Sequence, residues 1–170
     1  DGETCDDARA AGGCSATCSG VASDTIEVDS NGASTPTTCN LADAITLAND
    51  NLVSFNGCER VTGAAVDAVG SDVIVFAPAV NGVAVGSTLA LRLSHNTARL
   101  VIDSGRPLAR VTLPAAATRL FDVATGVDLT LRGLELTGAR AATPGAVIAA
   151  TGDGSRLVLE RVHVITNRAE

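Results

Sequence analysis

Lysine, methionine, tryptophan and tyrosine are absent from this 170-residue chain, and phenylalanine occurs only three times. Because the chain also carries a formal net charge of −7, it lacks the clustered basic side chains that bind a phosphate backbone, and we expect no nucleic-acid partner. The scarcity of aromatic rings removes the usual stacking surfaces for bases and sugars. No apolar run reaches the ~18 residues that a membrane-spanning helix needs, so the sequence predicts no transmembrane segment.

Charged residues are also few, at 18%, whereas hydrophobic residues make up 46% of the chain. This balance supports a buried core and excludes intrinsic disorder. The length fits one ordinary domain with a small appendage. We divide the chain into a Cys-rich segment at 1–20, an N-terminal cap at 21–71 and a repetitive part at 72–170.

Cysteine is confined to the first third of the chain, at Cys5, Cys14, Cys18, Cys39 and Cys58. A crowded Cys/Gly/Asp segment with no histidine nearby is typical of disulfides formed in an oxidising compartment. Zinc is the alternative, but it needs four ligands, and this segment offers three thiols. A bridge between Cys39 and Cys58 would close about 20 residues. The pairing of the other three cysteines stays open, and one of them is expected to pair outside the chain.

One segment, residues 41–50, has helical periodicity. Four apolar residues, beginning at Leu41 and ending at Ala48, follow the i, i+3, i+4, i+7 spacing and form one stripe. Asn40 precedes them as a favourable N-cap. We therefore predict an amphipathic helix whose apolar stripe covers the exposed end of the repetitive part.

From residue 72 onward, short Val, Leu and Ile runs alternate with turn residues, and one apolar pattern recurs at spacings of 26, 29 and 28 residues. Each repeat contributes one pair of apolar residues, and we align each pair with the next. The four pairs, in chain order, are Ile74/Phe76, Leu100/Ile102, Leu129/Leu131 and Leu157/Leu159. A repeat of this length made only of short strands is typical of a parallel β-solenoid, in which like strands of successive coils stack into parallel sheets. We therefore predict an all-β fold of about four coils, rather than a sandwich or barrel joined by hairpins.

The same spacings align charged residues. They place Asp103, Arg132 and Glu160 at equivalent positions on successive coils, as a ladder of alternating charge, and they place Glu135 beside His163. Such a ladder is typical of a solvated face whose pairs contribute ~0–1 kcal/mol each. The alternative is the groove of an active site.

An enzyme that cleaves polysaccharides is therefore a second hypothesis, a lyase or a hydrolase. A glycosidase needs two carboxylates ~5–9.5 Å apart. A lyase needs a strong base, which in a chain without lysine has to be arginine. The candidate carboxylate pairs are Asp122 with Asp128 and Asp103 with Glu135, and the candidate bases are Arg132 and Arg161.

A calcium-dependent module that recognises a glycan or a protein is a third hypothesis. Asp1, Glu3, Asp6 and Asp7 form an acidic cluster within the Cys-rich segment. Oxygen ligands at this density can hold calcium, and Glu3, Asp6 and Asp7 are the candidate ligands. The alternative is a solvated acidic turn beside the disulfides, which needs no cofactor.

Residues 1–18 resemble a bacterial Cys-rich repeat that reads GExCDDGN and then GDGCSxxC. The matching stretches are GETCDD at 2–7 and GGCSATC at 12–18. Ala8-Arg9 stands where the repeat has Gly-Asn, and the leading cysteine of the repeat has no counterpart in this chain. The resemblance thus accounts for the odd number of cysteines.

The remainder of the chain resembles the CSLREA-type bacterial surface proteins, whose N-terminal element reads CSLREAIxxAN. Residues 39–44 read CNLADA, residues 73–76 supply the I-x-F that follows in this family, and residues 166–169 resemble its terminal N-x-A. The resemblance implies a right-handed parallel β-helix of the pectate-lyase-like class. It also implies secretion or display at the cell surface, mostly without assigned activity.

We therefore predict a non-catalytic secreted or cell-surface module with a structural or adhesive role. Repeat sequence continues over 156–165, and no second capping helix follows it. Because an uncovered end exposes strand edges, we expect self-association, or stacking of a neighbouring domain, at the C-terminal coil.

Overall fold

A computed structural model describes residues 24–33, 35–60, 71–85, 89–91, 99–106, 108–113, 119–141, 147–150, 153–165 and 167–169. These residues form sixteen strands and one helix, α1, which spans Leu41–Asn49. The strands are β1 Asp24–Val28, β2 Ser54–Phe55, β3 Cys58–Glu59, β4 Ser71–Phe76, β5 Gly82–Ala84, β6 Leu89–Leu91, β7 Arg99–Asp103, β8 Ala109–Thr112, β9 Phe121–Val123, β10 Asp128–Arg132, β11 Leu134–Thr137, β12 Arg140–Ala141, β13 Ile148–Ala150, β14 Arg156–Glu160, β15 His163–Ile165 and β16 Arg168–Ala169.

Three parallel sheets contain most of the strands. Sheet I has the order β1-β4-β7-β10-β14, sheet II the order β5-β8-β11-β15, and sheet III the order β6-β9-β13. The short strands β12 and β16 also pair in parallel, and β2 with β3 is the one antiparallel strand pair in the described part of the chain. The prediction of a mostly β fold with parallel pairing is therefore confirmed.

The core is built from columns of apolar residues that cross the sheets. One column of sheet I consists of Ile26, Ile74, Ile102, Leu131 and Leu159, each beside the next on an adjacent strand. The first four are fully buried. Because side chains alternate between the two faces of a strand, the apolar residues at every second position of β7 and β10 enter the same core: Leu100, Ile102, Leu129 and Leu131.

The predicted alignment of Ile74 with Leu100 is wrong by two residues. β4 pairs with β7 so that Ile74 lies beside Ile102, while Asp72 lies beside Leu100 in a column that begins with Asp24 and Asp72 and is apolar from Leu100 onward. Asp72 is accommodated there because it forms an ion pair with Arg60, whose side chain is only 3% exposed. A shift of two residues keeps every side chain on the same face, so periodicity alone does not distinguish the two registers.

Sheet I also begins earlier than the repeat predicted. β1 pairs with β4, and Ile26 lies beside Ile74. Five strands therefore stack in sheet I, where the apolar repeat had indicated four. The segment between β1 and β4 contains α1 and the β2–β3 hairpin, so the boundary placed at residue 72 does not interrupt the sheet.

α1 begins where the sequence predicted. The side-chain oxygen of Asn40 accepts a hydrogen bond from the backbone N–H of Asp43 at 2.8 Å, which satisfies one free donor of the first turn. The buried face of the helix extends from Leu41 to Ala48. α1 contacts β1 and β6, which are the first strands of sheets I and III, so it packs at that end of both sheets.

The turns that follow β8, β11 and β15 lie close together, and Gly138 and Asn167 make the contacts between them. Gly138 has a φ of +88°, and a Cβ at this position would overlap the backbone oxygen of Leu113. Asn167 accepts a hydrogen bond from the N–H of Ala139 at 2.8 Å and donates one to the carbonyl of Leu136 at 2.9 Å. These contacts stabilise the close stacking of successive corners.

Candidate functional site

Most of the charged candidate residues lie in three columns that cross neighbouring strands of sheets I and II. Column 1 crosses sheet I through Arg99, Asp128 and Arg156. Column 2 crosses the same sheet through Asp103, Arg132 and Glu160. Column 3 crosses sheet II through Arg110, Glu135 and His163. The sequence spacings identified column 2 and the Glu135–His163 pair, whereas column 1 was missed although the same spacings align its members.

Column 2 contains an exposed ion pair. Arg132 Nε donates a hydrogen bond to Glu160 Oε2 at 2.8 Å, and the two side chains are 38% and 46% exposed. Asp103 lies beside Arg132 in register, and its Oδ1 accepts a hydrogen bond from the N–H of Gly105 at 2.9 Å. Water screens a pair that is this exposed, so it contributes only ~0–1 kcal/mol.

Column 1 places one carboxylate between two guanidinium groups. Asp128 Oδ2 lies 3.4 Å from Arg99 Nε and 3.6 Å from Arg156 Nη1. The second oxygen, Oδ1, is buried and has no hydrogen-bond partner among the described residues. The carboxylate is thus held at one oxygen from both neighbouring strands.

Column 3 follows the same alternation. Arg110 forms an ion pair with Glu135, whose side chain is 17% exposed, and the exposed His163 lies on the other side of Glu135 in register. A carboxyl that acts as a proton donor near neutral pH usually lies in an apolar pocket or beside another carboxylate. Glu135 lies beside an arginine instead, which is an arrangement that stabilises the pairing of strands.

The two carboxylates of each predicted pair lie on different sheets. Asp122 belongs to sheet III and lies 3.6 Å from Arg119, whereas Asp128 belongs to sheet I. Asp103 and Glu135 likewise belong to sheets I and II. Each of these four carboxylates therefore has an arginine or an amide partner of its own.

Arg161, the second candidate base, lies at the corner between β14 and β15. It is exposed and has a φ of +54°, a backbone conformation that is uncommon for a residue other than glycine. The corresponding corner one strand earlier has Gly133, with a φ of +62°. Arg161 thus occupies a turn position that a glycine occupies one strand earlier.

Two clefts lie near these elements. The first, of about 500 Å³, is at the start of α1 and has mainly apolar walls formed by Gly32, Ala33, Asn40, Leu41, Ala42, Ala84, Val85 and Thr112. The second, of about 330 Å³, lies on sheet II and is lined by Asn81, Gly82, Leu108, Arg110 and Glu135. Its two charged residues form the ion pair of column 3, and Asn40 in the first cleft already caps α1.

The predicted disulfide between Cys39 and Cys58 is present. The remaining cysteines and the candidate calcium ligands lie outside the described residues: Cys5, Cys14, Cys18, Glu3, Asp6 and Asp7. Within the described ranges, no group of three or more His, Cys, Asp or Glu side chains is arranged to hold a metal ion. In the same ranges, the helix is too short to cross a membrane.

No protein-family model matches the chain, and neither a curated protein nor a solved structure matches it significantly. The function of the chain therefore has to be inferred from its own residues.

Proposed function

We propose that this chain is a non-catalytic structural module of a secreted or cell-surface protein, built as a right-handed parallel β-helix. The observation that carries the proposal is the register of sheet I, in which an apolar column crosses all five strands on the core side and alternating charges cross β7, β10 and β14 on the other side. In a solenoid each coil buries its apolar face only against its neighbours, so identical columns are expected. The right hand follows from the strong preference of parallel crossover connections.

The order of the strands supports a chain that winds around one core. From β4 onward, successive strands enter sheets I, II and III in a repeating order, with only the short β12 and β16 outside it. Buried residues of all three sheets belong to a single hydrophobic cluster. Each circuit of the chain would then add one strand to each sheet.

The charge columns support a structural role over catalysis. Arginines and carboxylates alternate between neighbouring strands in all three columns, so each charge lies beside the opposite one. Opposite charges on adjacent strands stabilise the pairing of those strands. Catalytic acids and bases usually lie instead where burial or a neighbouring like charge shifts their pKa. We therefore assign the columns to the stabilisation of strand pairing between successive coils.

The cysteines and the sequence resemblances support an extracellular location. Disulfides persist in oxidising compartments, and the Cys39–Cys58 bridge joins the start of α1 to the β2–β3 hairpin. The resemblances of residues 1–18 and 39–44 are to bacterial proteins, and the second is to proteins displayed at the cell surface. A stiff stack of coils provides extended faces suited to a structural or adhesive role there.

Polysaccharide turnover tests this proposal against the enzyme hypothesis. We expect the full chain to release no unsaturated or reducing ends from pectin, alginate or neutral glucans, because Arg132 and Asp122 already have ionic partners. The matched variants Arg132→Ala and Asp122→Asn should give the same background as the wild-type chain. Turnover by the wild-type chain that either variant abolishes would establish an enzyme instead.

Location is tested independently of turnover. Antibodies raised against the full chain should label intact source cells or their secreted fraction, and brief treatment of intact cells with protease should remove the cell-bound label. An antibody to a cytoplasmic protein serves as the control for lysis. Signal that appears only after the cells are permeabilised would contradict the proposal.

A further inference from the structure

The strands β14 and β15 expose apolar side chains whose register partners on β10 and β11 are buried. Leu129 and Leu131 of β10 are fully buried, whereas their register partners Leu157 and Leu159 in β14 are 38% and 47% exposed. Val164 of β15 is 50% exposed. Among the described strands, β14 has a neighbour on one side only, so its outer edge can pair with another strand.

The sequence of β14 is complementary to itself. It reads Arg-Leu-Val-Leu-Glu, with Val158 at its centre. When two copies run antiparallel about Val158, Leu157 lies opposite Leu159 of the partner subunit, and Arg156 lies opposite Glu160 of the partner subunit. Residues directly opposite in an antiparallel pair point to the same face, so the leucines of both copies face the core side.

This pairing continues the charge alternation of sheet I without interruption. Column 1 ends on the cation Arg156, which meets Glu160 of the partner subunit. Column 2 ends on the anion Glu160, which meets Arg156 of the partner subunit. These side chains are 66% and 46% exposed, so both are accessible to a partner while they contact Asp128 and Arg132 in their own chain.

Other registers of the same edge are less favourable. A shift of one residue would place the leucines opposite outward-facing residues, because side chains alternate between faces. A shift of two residues would leave Arg156 or Glu160 without its opposite charge. A parallel, in-register pairing would place like charges side by side, which is destabilising.

We infer that two copies of this chain associate end to end through antiparallel pairing of their β14 strands, centred on Val158. The inference rests on the stacked coils of the proposed function, and it names the partner as a second copy of the chain. The pairing extends sheet I through both copies and covers Leu157 and Leu159 at the exposed end.

Charge reversal tests the pairing in solution. Sedimentation equilibrium of the wild-type full chain should show a dimer, and Arg156→Glu or Glu160→Arg should raise its dissociation constant at least about tenfold, since each creates two repulsive contacts by symmetry. The double variant Arg156→Glu/Glu160→Arg should restore dimerisation, because the charges are again complementary. Arg99→Glu, which changes the same column on an inner strand, should leave dimerisation unchanged.

A cysteine at the two-fold axis tests the register. In an antiparallel pair, directly opposite Cα atoms lie ~4.5–5.5 Å apart, which a disulfide can span. Val158→Cys should therefore give a covalent dimer under mild oxidation, and trypsin should release residues 157–161 joined to a second copy of themselves. Thr130→Cys, in the same column but 7% exposed on β10, is the matched control and should not cross-link in this way.

A wild-type chain that stays monomeric would overturn the inference and would mean that something other than a second copy covers the edge. The inference would also be overturned if the two charge reversals did not weaken the dimer. It would likewise be overturned if the double variant did not restore dimerisation. In each case the turnover and location experiments still decide the proposed function independently. Conversely, polysaccharide turnover by a dimeric chain would contradict the structural role and leave the pairing intact.

Discussion

At the scale of single residues, the least expected feature is a charged pair at the core. Asp72 occupies a column that continues with Leu100. Arg60 pairs with Asp72 and also donates a hydrogen bond from Nε to the carbonyl of Leu52 at 2.7 Å and one from Nη2 to Asn51 Oδ1 at 3.3 Å. A buried guanidinium tolerates desolvation only when such partners surround it.

Asp72→Leu should therefore destabilise the chain, although leucine would extend an apolar column. The substitution removes the ion pair that the buried Arg60 forms with Asp72, and we expect a loss of about 3–5 kcal/mol in the free energy of unfolding, measured by urea denaturation. The double variant Arg60→Met/Asp72→Leu should recover most of this loss, because the buried guanidinium is removed together with Asp72. A single variant as stable as the wild-type chain would show that the ion pair does not support the register of β4.

At the scale of elements, α1 is joined to its neighbours at its beginning by a disulfide and several hydrogen bonds. Cys39 forms the disulfide with Cys58, and its N–H donates a hydrogen bond to Asp29 Oδ1 at 2.6 Å. The carbonyl of Cys39 accepts hydrogen bonds from the N–H groups of Asp29 and Ser30 at 3.1 and 3.0 Å. The start of the helix is thereby joined both to the end of β1 and to the β2–β3 hairpin.

Replacing both cysteines should loosen this end of the molecule selectively. Cys39→Ala/Cys58→Ala removes a cross-link over a sequence separation of 19 residues. We expect a loss of about 3 kcal/mol, because the unfolded chain regains its loop entropy. Hydrogen exchange should accelerate in α1, β1 and the hairpin more than in β10 and β11. Equal acceleration throughout the chain would contradict a local role of the disulfide.

At the scale of the whole molecule, the proposed coils are modular. Asp103 and Arg132 occupy equivalent register positions at the ends of β7 and β10. In the proposed winding, residues 104–132 would make one circuit of the chain, which contains β8, β9 and β10. In a solenoid, stability is approximately a sum over coils and their nearest neighbours.

Deletion of residues 104–132 should consequently give a shorter chain that still folds cooperatively, with a lower denaturant m-value because less surface is buried. The deletion brings Arg156 beside Arg99 and Glu160 beside Asp103, so Arg156→Glu/Glu160→Arg should stabilise the shortened chain. Removing only residues 104–118 breaks the order of sheets and should abolish cooperative unfolding, as measured by circular dichroism. A half-coil deletion that is as stable as the full-coil deletion would contradict the winding.

Much of the fold and part of the candidate site could be predicted because they depend on local or periodic signals. The 28-residue spacing aligned Leu129 with Leu157 and Arg132 with Glu160, and both pairs lie side by side. The helix and its Asn40 cap follow from the chemistry of one turn. A repeated spacing is informative because each strand contacts mainly its counterparts in neighbouring repeats.

The tertiary structure decided those features for which local and periodic signals allow more than one solution. Two registers that differ by two residues expose the same faces, and the ion pair with Arg60 accommodates Asp72 beside Leu100. Likewise, β1 joins sheet I across an insertion that interrupts the spacing of the repeat. Spacing by itself therefore determined which residues face the core and how β7, β10 and β14 pair, whereas the register of β4 and the place of β1 in sheet I were decided by contacts between residues far apart in the chain.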